Sequence, residues 1–142
     1  MPTAIILPVI ALVLLTAIVW VRLYVERIRE LRRRRIDPQS LATSASAAQT
    51  LQSVQASDNF KNLFEVPVLF YALCAVLTLA QYVSPFFVMG AWLYVVLRYI
   101  HSFIHLTYNR VIHRFAVYVL STAILFMLWG VLGVQVLGGK AW

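Results

Sequence analysis

Ionisable side chains at helical spacing inside two otherwise apolar stretches are the first chemistry this chain offers. Asp58, Asn62 and Glu65 recur at i, i+4 and i+7, which places them on one face of a helix. Arg98, His101 and His105 recur at i, i+3 and i+7 on one face of another. Charges are costly in lipid, so such residues turn toward a bundle interior or a polar cavity. Arg98 and Glu65 fall at compatible depths, which predicts an Arg98–Glu65 pairing within one chain or across two. That pair either fixes helix register or contacts a ligand directly. His101 and His105 read as hydrogen-bonded core histidines. A metal shared between them needs a third ligand, from Glu65 or Asp58, and no metal site is assigned. Haem is disfavoured because both histidines share one helix. Cys74 reads as a small core hydrophobe. Arg110 stands after the third apolar stretch, with Asn109 beside it and Arg114 one turn on. It is either a topology-setting charge at the lipid phosphates or a cation aimed at an anionic ligand.

The elements that must position these residues follow from composition. The chain has 142 residues, 62% of them hydrophobic and only 12% charged, with a mean hydropathy of +0.82. Soluble domains are about 45–50% apolar. A disordered tail, a disulfide scaffold and an ordinary water-soluble domain are all excluded, leaving an all-α integral membrane protein. Residues 3–21 carry no charge and match the ~20 residues a crossing helix needs. No basic residue precedes this core, so it is not a cleavable signal. Residues 66–97 are also uncharged. As one helix they would measure ~48 Å, too long for a ~30 Å hydrocarbon core. They must be two spans, and Gln81-Tyr82-Val83-Ser84-Pro85 supplies the turn. One transmembrane domain over 1–142 results, with spans at about 3–25, 58–81, 86–108 and 113–137. A basic cytoplasmic loop covers about 26–57, in which helix is expected again from about Ala47. Pro67 predicts a kink beside Glu65, because proline frees the carbonyl of Leu63.

The net charge is +7, and six of the twelve Lys and Arg residues fall between positions 27 and 35. Placed directly after a span, that cluster reads as a cytoplasmic flank, and no nucleic-acid partner is expected. The 26–61 region and the 107–114 turn hold most of the basic residues, the 81–86 turn holds none, and Lys140 stands alone near the C-terminus. The positive-inside rule then places both basic loops in the cytoplasm and both termini outside, in an inner or cytoplasmic membrane. Trp20, Tyr24, Tyr82, Phe86, Phe87 and Trp142 fall near the expected interfaces and read as aromatic belts.

Asn62-Leu63-Phe64-Glu65-Val66-Pro67 resembles the Asn-x-x-Glu-x-x-Pro signature of the MAPEG family, membrane-associated proteins in eicosanoid and glutathione metabolism, with the proline one position early. Arg98-Tyr99-Ile100-His101-Ser102-Phe103, followed by Asn109-Arg110, resembles that family's third-helix block. The resemblance covers nearly the whole chain and marks it as a divergent, bacterial-type member. It implies a four-helix bundle assembled as a homotrimer, with glutathione bound between subunits near the cytoplasmic face as co-substrate. It also implies transfer to lipophilic electrophiles or reduction of lipid hydroperoxides. By position, Asn62 and Glu65 match tripeptide-binding residues, and Arg98 and Tyr99 match the arginine–tyrosine pair. Arg110 matches the catalytic arginine that stabilises the thiolate. Arg27 and His101 complete the expected cofactor-binding set.

Three positions depart from the family pattern. Asp58 replaces an arginine, Phe103 a tyrosine, and Val66 a tyrosine or asparagine. Asp58 would repel a glutathione carboxylate. The alternative is therefore a non-catalytic or differently specific protein on the same scaffold, binding a phospholipid or other amphipathic anion in the intersubunit cleft. An exporter ranks last, because the first span lacks an intramembrane carboxylate.

Overall fold

A computed structural model describes residues 2–52 and 54–138 of the chain. Lys140 and Trp142, used above for topology and for the aromatic belt, lie outside the described residues. Four helical segments are long and apolar enough to cross a membrane: Thr3–Arg34, Gln55–Leu79, Pro85–Leu106 and Val111–Gly138. They build an all-α four-helix bundle.

A short 3-10 turn, Pro2–Ile5, leads into α1, Ile6–Arg34. Pro8 sits in the first turn, where a missing backbone N–H leaves no helical bond unmade. Pro8, Leu12, Leu15, Val19 and Leu23 recur every three or four residues and form the buried face. The helix runs far past its apolar part, supported by Arg22–Glu26 and Glu30–Arg34 pairs one turn apart. It ends at Arg35, in left-handed geometry at φ 51°, and Ile36 N–H reaches back to the Leu31 carbonyl.

The basic loop is more ordered than a linker. Asp37 caps a 3-10 turn, Pro38–Leu41. Thr43 and Ser46 form a reciprocal capping box that starts α2, Ser44–Thr50. This helix starts earlier than position 47 and stops at Leu51, whose backbone turns extended and whose side chain is buried. Arg34 donates to the Thr50 carbonyl at 2.8 Å, and Gln52 N–H donates to Glu30 Oε1 at 2.7 Å. Both bonds tie the loop onto α1.

The second span is broken rather than kinked. It consists of α3, Gln55–Asn62, and α4, Pro67–Leu79. Pro67 occupies the first turn of α4, where its ring suits a helix start. Residues 63–66 form tight turns, in which Phe64 N–H bonds Lys61 O and Val68 N–H bonds Glu65 O. A Schellman-type closure at Gln81, φ 60°, ends α4, with Tyr82 N–H on Leu77 O and Gln81 N–H on Thr78 O.

Pro85–Leu106 forms α5 and Val111–Gly138 forms α6. The central helix is α5, which packs along α6 and also touches α1 and α3. The α5–α6 approach is close at Gly90, where an added Cβ would lie 2.6 Å from a methyl of Leu128. Small residues permit such approach between membrane helices. Phe70, Leu77, Phe87, Leu125 and Leu128 fill the core around it. Trp129 Nε1 donates to the Leu69 carbonyl at 3.2 Å, fastening α6 to α4. Leu7, Ile18, Leu79, Met89 and Leu137 point outward, as lipid-facing residues do.

Candidate functional site

The core changes character between α3, α5 and the start of α6. Arg98 is 0% exposed, the largest fully buried side chain among the described residues. Its Nη2 donates to the Asn62 carbonyl at 3.0 Å. That carbonyl ends α3, where the break leaves it without a helical donor, so the guanidinium caps the broken helix. The Arg98 Cζ also lies 5.6 Å from the centre of the Tyr118 ring, a cation–π distance. Ser102, one turn along α5, donates to Asn59 Oδ1 at 3.2 Å. These two bonds pin α3 to α5.

A second layer lies toward the 107–110 turn. His101 Nδ1 donates to the Arg114 carbonyl at 3.1 Å. Arg114 Nη1 donates to His105 Nε2 at 3.1 Å and to Asn109 Oδ1 at 2.9 Å. An arginine only donates, so His105 must present a bare Nε2 here. The half-buried Arg114 guanidinium is thereby held by two acceptors on one of its nitrogens.

The structure separates the expected site residues into groups. Arg98 and His101 lie within the buried cluster, and Asn62 joins them through its backbone. The Arg98–Glu65 ion pair does not form within the chain. Among the described residues the ion pairs are Arg22–Glu26, Arg34–Glu30 and Lys61–Asp58, and Arg98 is in none of them. Glu65 instead stands exposed on the break. The reason is local: the break redirects α4 and offers Arg98 a backbone carbonyl in place of a carboxylate. Tyr99 faces another way, with its hydroxyl donating to the Ala11 carbonyl of α1 at 2.7 Å. Arg27 is half-buried on α1, and Arg110 is exposed just before α6. His101 Nδ1 and His105 Nε2 are both engaged by Arg114, and among the described residues no three of His, Cys, Asp and Glu cluster.

A groove of about 580 Å³ runs beside the break, between α1 and the second span. Its walls are apolar and largely aromatic, with Trp20, Phe60, Phe64 and Tyr71 among them. An oily surface therefore abuts the polar break.

The family model that matches this sequence covers residues 5–134 and describes the MAPEG family. The chain belongs to the MAPEG family. It is an integral, multi-pass membrane protein of that family, and its four spans are the family's four-helix bundle. No curated protein and no solved structure is significantly similar to it. Within this MAPEG chain, the sequence alone assigned no site role to Asn59, Ser102, Arg114 or Tyr118. A signal for two of them was present: Arg114 and Tyr118 follow Arg110 at i+4 and i+8, one face of a helix. Asn59 precedes Asn62 by three positions on the same basis.

Proposed function

We propose that this MAPEG protein is a glutathione-dependent transferase or peroxidase acting on lipophilic electrophiles, assembled as a homotrimer with its site opening to the cytoplasm. The observation that carries this reading is the broken second span. The break exposes Glu65, half-exposes Asn62 and anchors Asn62 on the buried Arg98. Polar groups are thus presented at the break, with Asn62 anchored through its carbonyl, beside an apolar groove suited to a lipid-soluble substrate.

A free thiol has a pKa near ~8.5 and is only partly ionised at neutral pH. A guanidinium beside the sulfur favours the thiolate, the reactive form. Arg110, exposed at the mouth, takes that role in this proposal. Arg114, one turn on and held by His105 and Asn109, is the second cation of the same mouth. Arg27 and Asn62 bind the tripeptide's polar groups, because arginine holds carboxylates bidentately. Glu65 suits the tripeptide's ammonium. Arg98 acts through Asn62, as a positioning residue. In conjugation the thiolate forms a C–S bond to the electrophilic carbon, and either the leaving group departs with its bonding electrons or, in an addition, the neighbouring carbanion takes a proton. In peroxide reduction the thiolate attacks the distal peroxide oxygen, the alkoxide leaves and takes a proton, and a second glutathione converts the sulfenic acid to the disulfide and water. A lipophilic partner reaches the site from the bilayer along the apolar groove.

The test is thiol conjugation by purified protein in detergent. Arg110→Ala is expected to lower the rate at least tenfold with an unchanged unfolding midpoint. An unchanged rate would remove Arg110 from the mechanism.

A second reading has its own support. Arg29, Arg32 and Arg33 line a groove of about 560 Å³ with Val25 and Ile28. A basic and apolar groove where α1 leaves the membrane suits an anionic phospholipid head group. Mass spectrometry of lipid retained after purification distinguishes the two, because a phospholipid-binding protein carries a stoichiometric anionic lipid.

A further inference from the structure

The interior around Arg98 holds several buried hydrogen-bond donors that meet no acceptor among the described residues. Arg98 uses only Nη2; its Nε and Nη1 are fully enclosed with no partner among the described residues. The Tyr94 hydroxyl, one turn before it on α5, is enclosed and unpartnered as well. So is Asn59 Nδ2, whose sister oxygen is already bound by Ser102. His101 Nε2 is the remaining unpartnered atom of this group. Arg98, Tyr94 and Asn59 are each 0% exposed, and His101 is 2% exposed.

The inventory is one-sided. Arg98 Nε and Nη1 and Asn59 Nδ2 can only donate, and Tyr94 can donate as well. With His101 Nδ1–H given to the Arg114 carbonyl, a neutral His101 leaves Nε2 as the single nitrogen acceptor. A buried guanidinium without a carboxylate at contact is also an unbalanced charge in a low-dielectric interior. Such a charge is strongly unfavourable unless it is paired and hydrogen-bonded. The Tyr118 ring covers one side of it and offsets part of that penalty. Glu65 does not reach it as an ion pair.

We infer that Arg98, Tyr94 and Asn59 bind a small monovalent anion of the halide class inside the bundle of a single chain. Full enclosure selects the size: atoms with no exposed surface offer nowhere for a tripeptide carboxylate or a lipid phosphate to rest, so the occupant is a compact ion enclosed with them. The anion neutralises Arg98 and accepts from the donors left over. It thereby stabilises the α3–α5 junction that carries Asn62. This site shares Arg98 with the thiol site proposed above, where Arg98 positions Asn62, but anion binding itself does not require glutathione.

The experiment uses the full-length protein in detergent, exchanged into sodium gluconate. Sodium chloride or bromide then replaces gluconate at constant ionic strength while thermal unfolding is followed. Chloride and bromide are expected to raise the midpoint by several degrees, saturably. Tyr94→Phe removes one donor and little volume, and is expected to raise the half-saturating chloride concentration about tenfold. Arg22→Gln, on the exposed face of α1, is expected to leave it unchanged. Crystals grown in bromide are expected to show an anomalous peak against the Arg98 guanidinium. A midpoint that follows ionic strength whatever the anion would overturn the inference, as would density at Arg98 that is water alone.

Discussion

The two ends of this bundle are built on opposite rules. Toward the 80–84 turn, the interior is Leu77, Phe87, Leu125 and Leu128, with α5 and α6 in close contact at Gly90 and Phe70 marking the boundary with the polar end. Toward the 107–110 turn, it is Asn59, Arg98, His101, Ser102 and His105, joined by hydrogen bonds and resting on a broken span. The first end is held by shape and the second by directed polar contacts. Packing without polar atoms makes a stable scaffold, whereas partly unsatisfied polar groups persist where they do something other than stabilise. The contrast is the reason the proposed site is placed at the second end.

That contrast can be broken from either side. The largest stability effect is expected in the apolar packing, at its boundary with the polar end. Phe70 is fully buried and stacks on Tyr94 with ring centres 4.8 Å apart. Phe70→Ala should cost about 3–5 kcal/mol, measured by reversible unfolding in mixed micelles. Gly90→Ala should cost about 1–3 kcal/mol, because the new methyl meets the buried Leu128 side chain. The double variant with Leu128→Ala should recover part of that loss.

At the polar end, stability and activity should separate. Arg114→Ala leaves His105 Nε2 and Asn109 Oδ1 without their donor, and should cost about 1–3 kcal/mol as well as activity. Arg110→Ala should cost activity alone, with stability within about 0.5 kcal/mol of the parent. Equal effects of the two on folding would mean that the exposed arginine is structural. The smallest change is expected far from both ends, at the α1 terminus. Arg35 holds left-handed geometry that is unfavourable for a side chain. Arg35→Gly should therefore stabilise by up to about 1 kcal/mol, read as a small rise in unfolding midpoint.

Much of the bundle was legible because lipid imposes simple rules. Charge-free runs and the Gln81–Pro85 turn signal mark four spans, and the pattern of Asn62, Glu65, Arg98 and His101 marks the family. Less legible was how the second span meets Arg98. Proline geometry indicates that a helix is disturbed at Pro67, and whether it bends or breaks depends on the tertiary partner that receives the freed carbonyls. Arg98 supplies that partner for Asn62, so a backbone contact stands where two opposite charges suggested an ion pair. Tyr99 shows the same limit. Its position next to Arg98 in sequence puts it about 100° away around the helix, and its hydroxyl serves α1 instead. Arg114 was readable as a helical neighbour of Arg110, but its bonds to His105 and Asn109 depend on how α6 turns back against α5.

The most direct test of the proposed activity is thermal unfolding of the detergent-purified protein with and without reduced glutathione. Glutathione at a hundred times its dissociation constant should add about 2.7 kcal/mol, and that gain should shrink in Arg110→Ala and Asn62→Ala. An unfolding midpoint unmoved by millimolar glutathione, with anionic phospholipid retained at one molecule per chain, would contradict it.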